Sequence, residues 1–373
     1  MRIRAAVLEE IGRPRPFADS RPIAVTGLDL DEPGPGELLV RVEAAGVCHS
    51  DLSVVDGNRV RPVPMVLGHE AAGIVEATGP DLRDLSPGQR VVMTFLPRCG
   101  HCAACRSDGR MPCSDGSRAN NAGTLLSGAT RLHRDGSPVN HHLGVSGFAT
   151  YAVVDRRSVV PVDADVPPDV AAVLGCAVLT GGGAVVNSGR PEPGQTVMVV
   201  GLGGVGMAAL ITAVGLGGLT VVGVDAVGDK LATARRLGAA TALTPQELAD
   251  SGVKADVVIE AAGNARAVEA AVAATAVGGR TVTVGLPAPD ARASFSPLGL
   301  VAEGRTIVGS YLGSAVPQRD IPRFVEMWRA GRLPVEELVS STIGLDDINH
   351  AMDQLADGRA IRQLIRFDRD GAG

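Results

Sequence analysis

The chain has 373 residues, of which 45% are apolar but only 2% aromatic, and a formal net charge of −6. That length accommodates two domains with sizeable cores, which must be built from Ala, Val, Leu and Ile. The acidic balance and the lack of a basic stripe argue against nucleic-acid binding. No apolar run reaches membrane-spanning length without charges or turn residues, which argues against a membrane role.

Met1-Arg2-Ile3-Arg4 runs straight into a strand-like AAVL, without the layout of a signal peptide. Cytoplasm is the expected compartment, and six cysteines there favour metal over disulfides. From residue 1 to about 177, short alternating strands are separated by Gly/Pro turns: GELLVRVEAAGVC, AAGIVEATG, GQRVVMTFL and FATYAVVD. This pattern predicts a β-rich domain of barrel or sandwich type.

Every cysteine sits where a zinc ligand would. Cys48 follows the strand LLVRVEAAGV, and His69 follows VPMVLG. Cys99, Cys102, Cys105 and Cys113 are spaced C-x2-C-x2-C-x7-C in a segment with little regular structure. Four thiolates form a closed set, the pattern of a structural zinc; free thiols, a redox pair and an iron–sulfur cluster are the rivals. Cys176 lies in AAVLGCAVLT, at the predicted start of a helical stretch. Cys48, His69 and Cys176 together leave one position open, as a catalytic zinc requires. Asp51 and Glu70 are candidate carboxylates to orient His69 or tune the metal, the alternative being solvated surface charge.

From about 178 to 320 the pattern changes. Strands TVMVV, LTVVGV, DVVIEA, RTVTVG and TIVGS alternate with helical stretches, which predicts a doubly wound parallel sheet. TVMVV runs into Gly201-Leu202-Gly203-Gly204-Val205-Gly206 and a helix, the context that gives G-x-G-x-x-G meaning as a dinucleotide site. The pyrophosphate would sit at that helix N-terminus. LTVVGV ends at Asp225, where a carboxylate accepts ribose hydroxyls and repels a 2′-phosphate, favouring NAD over NADP. Lys230 is within reach of the same ribose. Residues 321–373 carry two helices and a closing strand, IRQLIRF, expected to pack back onto residues 1–177.

These motifs resemble the zinc-dependent medium-chain alcohol dehydrogenases over nearly the whole chain. The resemblance is carried by CHSD (48–51), GHEAAGIVEATG (68–79), PGQRVV (87–92), the quartet, GCAVLTGGGAVVN (175–187), GLGGVG (201–206) and VGVD (222–225). It implies a partly open, GroES-like β-barrel catalytic domain and a Rossmann domain, with the active site between them. It implies two zinc ions per chain and NAD. Cys48, His69 and Cys176 match the catalytic zinc ligands, a set with precedent in alcohol dehydrogenase. Ser50 matches the hydroxyl that takes the substrate's proton, and His49 a basic residue that contacts the pyrophosphate. Thr180 matches a residue beside the nicotinamide; Val205, Val284 and Leu286 would border the cofactor, and Arg362 would contact its phosphates. Residues 116–147 resemble the longer loop of the dimeric members, so a homodimer is expected, with a tetramer as the alternative. Where many members carry a histidine that ends the proton relay, this chain has Ser53.

The expected activity is interconversion of an alcohol and its aldehyde or ketone by hydride transfer to NAD. Rivals are a thiol-dependent formaldehyde dehydrogenase and an inactive homologue serving as a binding module. Alignment with the family places Phe95, Arg59, Arg118, His142, Leu286 and Tyr311 around the substrate. The two arginines would favour an anionic substrate, unless they pair with Asp56 and Asp115.

Overall fold

Alternating burial along the first third of the chain gives strands with one face turned to a core. The structure, a computed structural model, describes residues 1–367. One unit comprises residues 1–107, 111–176 and 339 onward. In it, strands Arg2–Leu8, Ile23–Leu30, Leu132–Arg134, Ser137–His141 and Met65–Val66 close into a barrel. A seven-stranded sheet accompanies it, with Glu37–Val47 as its long central strand. Along one edge that strand pairs first with Tyr151–Asp155 and then with the C-terminal strand Gln363–Arg366. Two register shifts against Ala71–Thr78 bend it, and it ends immediately before Cys48. The core is built mainly from Val, Leu and Ala, with Phe17 and Phe148 among the few buried aromatics.

The other unit comprises residues 108–110 and 177–338. Its six-stranded sheet is parallel, in the order Thr241–Leu243, Thr220–Val224, Thr196–Val200, Ala255–Glu260, Thr275–Thr283, Thr306–Gly309. Numbered along the chain this is 3-2-1-4-5-6, the doubly wound order with its switch point beside Thr196–Val200. The three-residue strand Thr241–Leu243 was not among the five strands expected.

Two expectations about boundaries change. The return to the first unit begins at Val339, not at 321. Helix Pro317–Arg329 groups with the second unit, where the Phe324 ring lies against Gly182 so closely that a Cβ there would meet it at 2.7 Å. In the same unit, Trp328 donates its indole N–H to Glu336 at 2.6 Å. What does return is strand Ser341–Ile343, helix Ile348–Ala356 and strand Gln363–Arg366. Asp353 on that helix accepts the backbone N–H groups of Phe17 and Ala18, each at 2.9 Å.

The helical run around Cys176 also begins earlier than expected, at Pro168, and continues to Gly189. Cys176 therefore sits well inside it, in a π-helical turn, Leu174–Val178. The run is long and apolar enough to cross a membrane, but 89% of its most apolar window is buried inside the protein, as in an interior helix.

Candidate active site

Three separate chain segments of the first unit bring Cys48, His69, Glu70 and Cys176 together. Each offers one ligand atom, and these atoms lie within 4.8 Å of one another. Cys48 stands at the N-cap of helix His49–Val55, His69 and Glu70 precede strand Ala71–Thr78, and Cys176 comes from the π-helical turn. All four are buried. Cys176 Sγ lies 3.4 Å from His69 Nε2.

Asp51 organises this group from below. Its Oδ2 accepts the Cys48 backbone N–H at 3.1 Å, and its Oδ1 accepts the Gly68 N–H at 3.2 Å and meets His69 Nδ1 at 3.0 Å. A carboxylate on Nδ1 fixes the tautomer that leaves Nε2 free to ligate. Phe95 meets the His69 ring edge-on, with centroids 5.4 Å apart.

Charge is concentrated here among buried side chains. Burial would raise the Asp51 carboxyl, but the charge and hydrogen bond of His69 and the close polar contact of His142 bring it down to about 2. Burial would lower His69, and Asp51 and Cys48 more than reverse that. For Glu70 burial prevails over the adjacent Arg362 and pushes the carboxyl up to about 7. Among the described residues neither Glu70 oxygen has a hydrogen-bond partner, although Arg362 Nη1 is 3.5 Å from one of them. Hydrogen bonding between the two thiols pulls Cys48 well below its ordinary value and holds Cys176 well above it.

The quartet forms a second, separate group in the same unit. Its four sulfurs lie within 4.8 Å of one another, with Cys99 to Cys105 at 3.8 Å and Cys102 to Cys113 at 4.0 Å. None of the six cysteines is in a disulfide. Backbone N–H groups point at the sulfurs: Cys99 and Gly116 donate to Cys113, and Cys105 to Cys102, at 3.3–3.4 Å. Such donors favour thiolates over thiols.

In the second unit, the three glycines of the phosphate-loop pattern each meet a different demand. Gly201 has φ of +90°, and a Cβ there would meet the Ala262 backbone N at 2.6 Å. At Gly203, the N-cap of helix Gly204–Leu216, a Cβ would meet nothing within 4 Å, which leaves room for a ligand. At Gly206 a Cβ would overlap the Gly201 carbonyl. Turn, approach and packing are the roles this pattern serves in a dinucleotide site. Asp225 accepts the backbone N–H of Leu202 at 2.7 Å and of Val227 at 2.9 Å, so it also ties the loop to the next strand. Thr180 is buried on helix Leu179–Gly183, and Val284 is buried with Leu286 exposed nearby. Val205 and Lys230 are half-buried, on helices Gly204–Leu216 and Gly228–Arg236.

The remaining expected site residues lie in varied settings. Ser50 is half-buried and His49 exposed on the first turn after Cys48. Ser53 is half-buried, and its hydroxyl donates to the His49 carbonyl at 2.8 Å. Arg362, expected at the cofactor phosphates, is buried beside Glu70 and donates to the Val47 carbonyl at 3.0 Å. A guanidinium there offsets the charge of the buried carboxylate and thiols. Arg118, expected near the substrate, is 77% exposed and pairs with Asp115 at 2.5 Å. It shares a groove with Cys99 and His101, beside the quartet. Arg59 is half-buried, and Asp56, its suggested partner, is hydrogen-bonded to Asn58. His142 is buried against Asp51. Tyr311 is half-buried at the head of a left-handed turn, Leu312–Ser314, in the second unit. Sequence reasoning missed Glu260, which is fully buried and accepts from Ala262 N, Gly263 N and Thr283 Oγ at 2.7–2.8 Å. Its only signal was an acidic residue closing a buried strand.

Known proteins share this arrangement along the chain. Residues 34–164 match the alcohol dehydrogenase GroES-like domain family, and residues 204–329 the zinc-binding dehydrogenase family. A Mycobacterium tuberculosis protein named "Putative alcohol dehydrogenase D" is 36% identical, covering 98% of this chain and all of the relative. Among solved structures, an alcohol dehydrogenase zinc-binding domain protein from Burkholderia ambifaria superposes with a TM-score of 0.91 at 33% identity, covering 99% of this chain and all of that one. Benzyl alcohol dehydrogenase from Acinetobacter calcoaceticus does so with 0.90 at 31%, with the same coverage. With the barrel, the doubly wound sheet and both cysteine groups in place, the chain belongs to the zinc-dependent medium-chain alcohol dehydrogenase family.

Proposed function

We propose that the protein is a zinc- and NAD-dependent dehydrogenase that interconverts an alcohol and its aldehyde or ketone. Cys48, His69 and Cys176 hold the catalytic zinc, and Cys99, Cys102, Cys105 and Cys113 hold a structural one. The donor geometry carries this reading. Around one tetrahedral zinc, two thiolates stand about 3.8 Å apart, and a thiolate and an imidazole about 3.5 Å. The quartet gives 3.8 and 4.0 Å, and Cys176 to His69 gives 3.4 Å. Thiolates on separate irons of a cluster would not all converge in this way. The Glu70 carboxylate beside the three donors, ion-paired with Arg362 at 3.5 Å but accepting no hydrogen bond among the described residues, is a second sign that a cation belongs there.

When bound, zinc supplies Lewis-acid polarisation of a substrate oxygen, and the nicotinamide accepts or returns a hydride. The chain's part is positioning and proton handling. Asp51 holds His69 in its ligating tautomer, and Arg362 offsets the charge of Glu70 and the thiolates. Ser50, two residues beyond Cys48, is the hydroxyl assigned to take the alcohol's proton. Gly203 admits the pyrophosphate, and Asp225 prefers a ribose with a free 2′-hydroxyl.

We assign a homodimer to the open edge of the second unit. Strand Thr306–Gly309 ends the sheet, and among the described residues its outer edge is unpaired. Helix Pro297–Ala302, which precedes it in the chain, buries no residue, and Leu298 and Val301 are 73% and 82% exposed. Such an edge needs covering.

Elemental analysis of protein prepared without chelators, combined with turnover of an alcohol and aldehyde panel with NAD(H), tests the reading. Two zinc ions per chain and NAD-linked turnover are expected. Absence of zinc overturns it, and turnover of formaldehyde only with added glutathione or mycothiol would reassign the substrate. Full metal content without turnover would point to a binding module.

A further inference from the structure

The residue that stands out is His142. It is 1% exposed, outside the ligand set, and its Nδ1 lies 3.1 Å from the Asp51 oxygen that meets His69. The contact is off the axis of a linear hydrogen bond. Its ring meets the His69 ring edge-on, with centroids 5.5 Å apart and planes at 77°. His69 is thus flanked edge-on by Phe95 and by His142, and is held by Asp51 as well.

The backbone around His142 is built to keep it there. Its N–H donates to Ser146 Oγ at 3.0 Å, and its carbonyl accepts from Val145 and Ser146. Leu143 and Ser146 both have φ of +53°, a conformation that non-glycine residues rarely adopt and that surrounding contacts must impose. The two residues that follow tie this turn to the His69 segment. Gly147 N–H donates to the Gly68 carbonyl at 2.8 Å and Phe148 N–H to that of Leu67 at 3.0 Å. A Cβ on Gly68 would meet Phe148 at 2.5 Å. A strained turn thus locks onto the loop that presents His69 and aims one side chain at the Asp51–His69 pair.

We propose that His142 is a positioning residue for the catalytic zinc, acting through Asp51 and the His69 ring rather than by touching substrate. The inference rests on the zinc reading above. Its role is to restrict the rotation of Asp51 and His69, so that Nε2 stays aimed at the metal.

The test is metal retention in the full chain. In His142→Phe the ring packing stays and the polar contact is lost. In His142→Asn an amide nitrogen stands close to the position of Nδ1. With a competing chelator, His142→Phe should release one of its two zinc ions about 10- to 100-fold faster than wild type. The quartet zinc should leave at the wild-type rate. In cobalt-substituted protein the thiolate-to-metal bands of the first site should shift in His142→Phe and return in His142→Asn. Wild-type release and an unshifted spectrum in His142→Phe would overturn the proposal. So would failure of His142→Asn to recover either readout, including the case in which His142→Phe loses its fold. Wild-type protein without zinc would instead sink the zinc reading itself.

Discussion

The two cysteine groups use similar chemistry and are built in opposite ways. The quartet is local: four thiols within fifteen residues, three of them half-exposed, steadied by backbone N–H groups. The Cys48–His69–Cys176 group spans 48 to 176, is fully buried, and is surrounded by Asp51, Glu70 and Arg362. A local closed set draws on its metal to order a segment that has no core of its own. A dispersed set rests on a core that folds anyway, so its ligands can be held in a charged pocket suited to reaction rather than to cross-linking.

The sharpest way to break this contrast is to remove one thiol from each group. Cys176→Ala should lose one zinc and at least about a thousandfold in kcat/KM, since several kcal/mol of oxygen polarisation go with it. Its thermal midpoint should change little. Cys102→Ala should lose the other zinc and lower the midpoint by roughly 5–10 °C, while the protein that stays folded keeps most of its turnover. Metal analysis, calorimetry and initial rates on both variants check this. Equal losses of stability would erase the distinction.

A smaller effect is expected at Asp225, in the other unit. Asp225→Ser should shift the NAD-over-NADP preference by about ten- to a hundredfold, the value of one lost charge-assisted contact of about 1.5–3 kcal/mol. It should also raise KM for both cofactors, because the Leu202 and Val227 N–H groups lose their acceptor. Comparing kcat/KM for the two cofactors measures the first, and an unchanged ratio would remove Asp225 from cofactor choice.

Smaller again is the relay. The Ser53 proton is committed to the His49 carbonyl, and no imidazole stands there. Ser53→His should raise alcohol oxidation a few-fold at about pH 7. An imidazole with the ordinary pKa of about 6.5 is deprotonated above that value and accepts a proton, and is filled below it. The gain should therefore vanish towards about pH 5.5. A pH–rate profile without that crossover would mean that protons leave elsewhere.

The smallest expected effect is Arg118→Ala. Its exposed i,i+3 pair with Asp115 lies in the quartet's lobe, and exposed pairs contribute about 0–1 kcal/mol. Specificity between a carboxylate-bearing alcohol and its neutral isostere should move less than about twofold. A larger change would restore the cationic-pocket expectation.

What could be read from the chain followed the range of the signal. The alternation of strands and helices after residue 178 marked the doubly wound sheet, because parallel strands buried on both faces leave continuous apolar runs. Thr241–Leu243 escaped, since three residues show no period. Residues 116–147 looked like loop, yet Leu132–Arg134 and Ser137–His141 are barrel strands, short and largely polar. The cysteines and His69 were legible by type and spacing. Pairings such as Arg362 with Glu70 and His142 with Asp51 were not, because nothing local marks a contact between residues 292 or 91 positions apart.

The single tryptophan has a practical corollary. Trp328, bonded to Glu336 and remote in sequence from every cysteine, sits wholly within the unit that carries the glycine loop. Its emission is therefore an optical gauge with a single source. It is placed to register melting of the doubly wound sheet, and because Arg319 on the same helix pairs with Asp108, inside the segment that carries the quartet, it also has a direct link to that segment. A fluorescence melt of Cys102→Ala should therefore move together with the calorimetric transition rather than stay at the wild-type midpoint.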